Sequence, residues 1–143
     1  SFNPATGLFY VNTMEGCSVI SKQPSGEWVA GKGYVGGGGK RPPEDKTQKV
    51  VRAFDIRTGK AVWEIPEDGQ GLSWSGTLTT GGGLVFCGDD GAGLSAADAL
   101  TGKLLWSYPF TDIPHSSPMT YVFDNKQYVA LTNGAQVYVF GLP

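Results

Sequence analysis

The chain has 143 residues, with 22 Gly and 9 Pro; 40% of its residues are hydrophobic and 12% aromatic, but only 17% are charged. That much glycine and proline excludes a coiled coil, and the apolar share excludes a wholly disordered chain. The formal charge is −2, from 11 basic and 13 acidic residues. The only basic spot is Lys40-Arg41, so nucleic acid is excluded as partner, and no apolar run nears the roughly 18 residues of a membrane-spanning helix.

In chain order, Thr6-Gly7 opens the apolar run Leu8-Phe9-Tyr10-Val11. An insertion follows over about residues 21–49, with a Gly36–Gly39 run and Pro42-Pro43, a composition that predicts a surface excursion. Within it Gly31-Lys32-Gly33-Tyr34-Val35-Gly36 spells GxGxxG, but more glycines and two prolines follow where a phosphate-binding helix should begin. Gly39-Lys40 fails as a phosphate loop for want of the preceding Gly and the following Ser or Thr.

Beyond the insertion an internal repeat sets the architecture. Phe54-Asp55-Ile56-Arg57-Thr58-Gly59-Lys60-Ala61-Val62-Trp63 recurs as Ala97-Asp98-Ala99-Leu100-Thr101-Gly102-Lys103-Leu104-Leu105-Trp106. At the same spacing Val85–Gly91 falls on Tyr128–Gly134, which aligns Cys87 with Ala130. Thr6–Val11 reads as a third, partial copy. In Asp-x-x-Thr-Gly-Lys the Asp caps backbone N–H groups and the Gly takes a left-handed conformation. Asp90-Gly91 and Asn133-Gly134 are type I′ hairpin dipeptides. Short strands repeating every 40 or so residues predict an all-β chain of β-propeller blades, about three four-stranded antiparallel blades over 2–65, 72–108 and 114–143. Residues 1–143 thus read as a partial propeller domain, with open flanks to be covered by other blades or by self-association.

Few residues offer chemistry. His115 is the only histidine and reads as a loop residue beside Ser116-Ser117; Asp89-Asp90 lacks the alternating oxygen ligands of a calcium loop. Cys17 and Cys87 share no CxxC spacing, and Cys87 reads as a small buried strand residue. Trp63 and Trp106, at one repeat position, are expected to pack as buried rings against the adjoining blade, so that losing Trp106 should cost several kcal/mol. Trp74 stands outside that frame, just before a blade's innermost strand, where its ring can be presented to a ligand near the propeller axis.

These motifs together resemble the pyrroloquinoline quinone (PQQ)-dependent alcohol and methanol dehydrogenases. Trp74-Ser75-Gly76-Thr77 through Leu84-Val85-Phe86-Cys87-Gly88 is similar to that family's W-x-G-T-x-x-T-x-G-x-L-V-F-x-G segment. Ala97-Asp98 to Trp106 is similar to its tryptophan-docking motif, Pro118–Tyr121 and Lys126–Ala130 to its PMTY and KQYVA stretches, and Ser1–Val11 to the start of the same region. The resemblance implies the C-terminal third of an eight-bladed, periplasmic quinoprotein propeller that holds PQQ and a calcium or lanthanide ion. It implies that Trp74 is the residue on which the PQQ ring lies, that the catalytic Asp and the metal ligands lie outside this chain, and that this segment is inactive alone. No residue here is assigned a catalytic or metal-binding role. Met14 stands where the family often has the Asn of an Asn-x-x-Cys motif, with Asn12 merely nearby, and the family's further tryptophan loop is replaced by Asn133–Gln136. Those departures favour the competing reading, a cofactor-free propeller serving as an assembly scaffold.

Overall fold

The computed structural model describes residues 1–22, 26–34, 37–67, 75–89, 91 and 93–141. All regular structure among them is β: β1 (Phe2–Asn3), β2 (Leu8–Glu15), β3 (Val19–Lys22), β4 (Gly37–Lys40), β5 (Gln48–Asp55), β6 (Ala61–Glu67), β7 (Thr77–Thr79), β8 (Leu84–Asp89), β9 (Gly93–Asp98), β10 (Leu104–Tyr108), β11 (Met119–Phe123), β12 (Lys126–Asn133) and β13 (Gln136–Gly141). The chain divides into a larger unit, Ser1–Met14 with Lys49–Pro143, and a smaller one, Glu15–Gln48.

The larger unit holds three antiparallel sheets, ordered β1-β2-β5-β6, β7-β8-β9-β10 and β11-β12-β13. Among the described residues the third has three strands where four are expected. Side chains alternate across a strand, so each sheet has two faces to cover. Leu8, Tyr10, Val51, Ala53 and Trp63 of the first sheet share a core with Val85, Cys87, Ala97 and Ala99 of the second. The second sheet's other face, through Phe86, Leu94 and Ala96, packs on Val129 and Leu131 of the third, with Tyr138 and Phe140 closing the seam. Sheets packed face to face in chain order are propeller blades.

That packing corrects the repeat. Val85 and Cys87 face the preceding sheet, and so do Val129 and Leu131. The structural counterpart of Cys87 is therefore Leu131, one residue beyond Ala130. Asp89 pairs with Gly93 across three residues, whereas Asn133 pairs with Gln136 across two. The shorter loop lets the spacing drift by one residue between β8/β12 and β9/β13, and a slip of one exchanges the faces of a strand.

The turns explain why the repeat is visible at all. Asp55 Oδ1 accepts the N–H groups of Arg57 and Thr58 at 2.8 and 3.2 Å; Asp98 Oδ1 accepts those of Leu100 and Thr101 at 3.1 and 2.8 Å. The Asp98 carboxyl is held below its ordinary pKa by hydrogen bonds from the Thr101 side chain and then its backbone. Gly59 and Gly102 sit at φ 68° and 72°, as expected. Asn3 caps Ala5 in the same way at 3.0 Å, ahead of Gly7 at φ 71°. This third copy, however, joins β1 to β2, the first two strands of a sheet, whereas the other two join third strand to fourth.

The hairpins differ from expectation. Asn133 is a strand residue paired with Gln136, so the loop is Gly134-Ala135 and only Gly134 has positive φ. The two-residue turn with both φ positive is instead Asp124-Asn125, at 49° and 57°, between Phe123 and its partner Lys126; short Asx side chains tolerate that conformation. Asp90 lies outside the described residues, although Asp89 Oδ1 accepts the Gly91 N–H at 2.8 Å.

Trp63 and Trp106 also part company. The Trp63 indole N–H donates to Ala99 O at 3.1 Å, where the Tyr10 hydroxyl donates too, at 3.0 Å. A Cβ on Gly102 would lie 2.7 Å from Trp63 Cδ2, so the ring lies directly on that glycine. Trp63 is 9% exposed but Trp106 is 39% exposed. The expected burial of Trp106 fails because its ring meets Phe140, edge-on at 5.1 Å, with no Asp-x-x-Thr-Gly turn beyond it among the described residues. Beside it an apolar cleft of about 590 Å³ opens between Leu84, Phe86, Val129 and Val139.

In the smaller unit, Val19–Lys22 pairs with Gly37–Lys40 as a hairpin, so part of the glycine run is strand. Asp45 organises the remainder, accepting Cys17 N–H at 2.9 Å and the Thr47 hydroxyl at 3.0 Å, with Arg41 at 3.5 Å.

Candidate functional site

Trp74, the one residue expected to hold a cofactor, lies outside the described residues. Its two successors in the chain, Ser75 and Gly76, lie within them and lead into β7, the strand at one edge of the second sheet. Hydrogen bonds from side chains gather the residues just before β7, Asn12 of β2, the last residues of β8 and β12 and the loop before β11.

Ser75 is 5% exposed. Its hydroxyl donates to Ser116 O at 2.8 Å, and Gly76 N–H donates to Ser117 Oγ at 3.1 Å. The Ser116 hydroxyl donates to Thr132 O at 2.7 Å and accepts Thr132 N–H at 2.9 Å. From the first sheet, the Asn12 side-chain amide donates to Ser75 O at 2.9 Å and to Gly88 O at 3.2 Å. Gly88 is needed here: a Cβ would run into the Ser75 side chain and approach Pro114 Cγ at 3.2 Å. Asn12, Ser75 and Ser116 thus form a continuous set of side-chain bonds to backbone, across three sheets, and Ser75 adjoins Trp74 in sequence.

Sequence reasoning passes over these residues. Their partners are backbone carbonyls, which have no sequence signature. The available signal is Ser75-Gly76-Thr77 set against Ser116-Ser117-Pro118: Thr79 pairs with Val85 and Thr120 with Val129, which makes Ser75 and Ser116 counterparts 41 residues apart. His115 is an exposed loop residue lining a cavity of about 500 Å³ with Thr111, Asp112, Ile113 and Gly134. Among the described residues no three His, Cys, Asp or Glu side chains gather as a metal site.

Cys87 is buried in β8, and burial pushes its thiol up to about 12, with Glu67 and Asp89 adding to the shift. Cys17 is exposed. At pH 8 about one Cys87 in ten thousand carries the reactive thiolate, so iodoacetamide should modify native protein once, at Cys17, and unfolded protein twice. Peptide mapping checks this, and rapid native labelling of Cys87 would contradict the burial.

Comparison with known proteins adds the family. A model described as the glucose/ethanol/alcohol dehydrogenase β-propeller domain, a PQQ model, matches residues 64–129. The lanthanide-dependent methanol dehydrogenase of Methylacidiphilum fumariolicum is 36% identical over 94% of this chain and 22% of its own length. The 1-butanol dehydrogenase (quinone) of Thauera butanivorans is 32% identical over 94% and 21%. Among solved structures, a europium-containing methanol dehydrogenase superposes with TM-score 0.80 at 35% identity, over 92% of this chain and 23% of its own. Along more than nine-tenths of its length this chain is similar to PQQ-dependent alcohol and methanol dehydrogenases. It spans about 22% of the length of these relatives, so it is a part of a larger propeller, and no described helix is long and apolar enough to cross a membrane.

Proposed function

We propose that this segment forms one wall of the PQQ site of a quinoprotein alcohol or methanol dehydrogenase, with Trp74 as the residue on which the ring system lies. The observation that supports it most is the braced start of β7, where Ser75 and Gly76, next in sequence to Trp74, are tied to both neighbouring sheets. Fit can be tested at those two residues. The Ser75 hydroxyl, Ser75 carbonyl and Gly76 N–H are all satisfied within the chain, so a flat aromatic ligand laid against this wall strands none of them, and desolvation there costs little. Indole is suited to carry such a ring.

When bound, PQQ supplies a quinone that takes up the hydride equivalent of a primary alcohol. This chain's share is to support the ring and hold the wall still. The general base and the ligands of a calcium or lanthanide ion belong to the other blades, so the segment alone has no turnover, and the parent works in the periplasm. Trp63, lying on the Asp98–Gly102 turn, acts as the docking tryptophan that locks one blade to the next, and Trp106 meets a corresponding turn in the parent. The cofactor-free scaffold reading gains no support from the relatives, which are named as dehydrogenases.

The test uses the full-length parent. Trp74→Ala should weaken PQQ binding by about tenfold or more, the scale of one lost aromatic stack, with the thermal midpoint unchanged. Fluorescence titration with PQQ and calcium reads the first and calorimetry the second. Equal affinity in variant and parent would end the stacking assignment.

A further inference from the structure

We infer that Asn12 is a positioning residue for the PQQ wall: from the first sheet it fixes the start of β7 in the second by donating to Ser75 O and Gly88 O. The inference rests on the PQQ-wall reading and extends it to a residue whose motif position suggests no role.

Asn12 lies on β2 and is half-buried; its amide nitrogen donates to two carbonyl oxygens, Ser75 O just before β7 at 2.9 Å and Gly88 O on β8 at 3.2 Å. Carboxylate, methyl and thioether groups lack that pair of donors, so Asp, Ala or Met in this place leaves both carbonyls without them. The two carbonyls belong to residues already pressed together, because Gly88 has no room for a side chain beside Ser75. One carboxamide therefore sets where β7 starts relative to the end of β8. Ser75 passes the constraint to Ser116, and Ser116 clamps the Thr132 N–H and C=O in β12. Short-range pairing contributes little at this point, since β7 is only three residues long and pairs with β8 through Thr77, Leu78 and Thr79. Two residues, Ser75 and Gly76, separate that ladder from Trp74, and both are held by side chains of other sheets. A bracket made of such bonds governs geometry more than total stability, because Asn12 lies outside the apolar cores that hold the sheets together.

The experiment compares Asn12→Ala and Asn12→Asp with the parent in two measurements. Amide hydrogen exchange on this chain should show Gly76 exchanging about tenfold faster, the scale of one lost hydrogen bond, while Val85 and Ala97 stay unchanged. In the full-length protein PQQ dissociation should accelerate by a similar factor, with the thermal midpoint near that of the parent. Asn12→Asp distinguishes the amide donors from mere bulk, since it keeps the shape and loses both donors. Unchanged exchange at Gly76, or unchanged PQQ dissociation with Trp74→Ala still impaired, would overturn the inference. Trp74→Ala without effect on PQQ would instead remove the reading beneath it, and faster exchange at Gly76 would still report the bracket itself.

Discussion

Trp63→Ala should destabilise the chain by about 3–5 kcal/mol, the range for deleting a buried large aromatic, whereas Trp106→Ala should cost only about 1–2 kcal/mol because much of its ring is already in water. The two tryptophans occupy one repeat position, so chemistry and local sequence are matched and only the environment differs. Trp63 is 9% exposed, lies over Gly102, stands 5.7 Å from the Tyr10 ring and donates to Ala99 O. Its removal opens the seam between the first two sheets, where Leu8, Val51, Ala53, Val85 and Cys87 also meet. Trp63→Phe should fall between the two, because it keeps most of the apolar contact and the Tyr10 hydroxyl still satisfies Ala99 O. Urea denaturation at constant slope measures all three. Equal losses for Trp63→Ala and Trp106→Ala would show that burial does not set the difference.

The same contrast separates what the sequence discloses from what it conceals. Asp-x-x-Thr-Gly-Lys is legible because its bonds are local: Asp98 reaches residues two and three ahead, and the glycine supplies the one backbone conformation that other residues adopt at a cost. Sheet structure is legible for a similar reason, since the apolar runs alternate. The face that each strand turns to its neighbour is not, because one residue fewer in the loop after Asn133 changes the spacing and moves the counterpart of Cys87 from Ala130 to Leu131. Trp106 is misread from its own segment because its exposure depends on what stands across the seam. The bracket of Asn12, Ser75 and Ser116 is invisible for a stricter reason: hydrogen bonds to carbonyls 16 to 76 residues away have no pattern along the chain. Trp74 itself rests on resemblance to the family.

Gly102→Ala isolates the contact on which the Trp63 seat depends. Two separate penalties apply. Gly102 sits at φ 72°, where an L-residue costs about 1–2 kcal/mol, and the new Cβ would lie 2.7 to 2.9 Å from three atoms of the Trp63 ring. Moving a buried indole off that position forces repacking at about 1–3 kcal/mol. The expected total is about 2–5 kcal/mol. In a Trp63→Ala background the second penalty disappears because nothing remains to strike, and Gly102→Ala should then cost only its backbone share. The double-mutant cycle should therefore show a coupling of about 1–3 kcal/mol, with the pair of changes less damaging than their sum. Gly59→Ala is the internal control: Gly59 has φ 68° but nothing within 4 Å of its Cβ position, so it should cost the backbone share alone. Additive losses at Gly102 and Trp63 would mean that the ring does not bear on the glycine. Coupling at Gly102 together with a backbone-only cost at Gly59 would establish that, within this chain, the extra cost at Gly102 comes from the Trp63 ring and not from the turn itself.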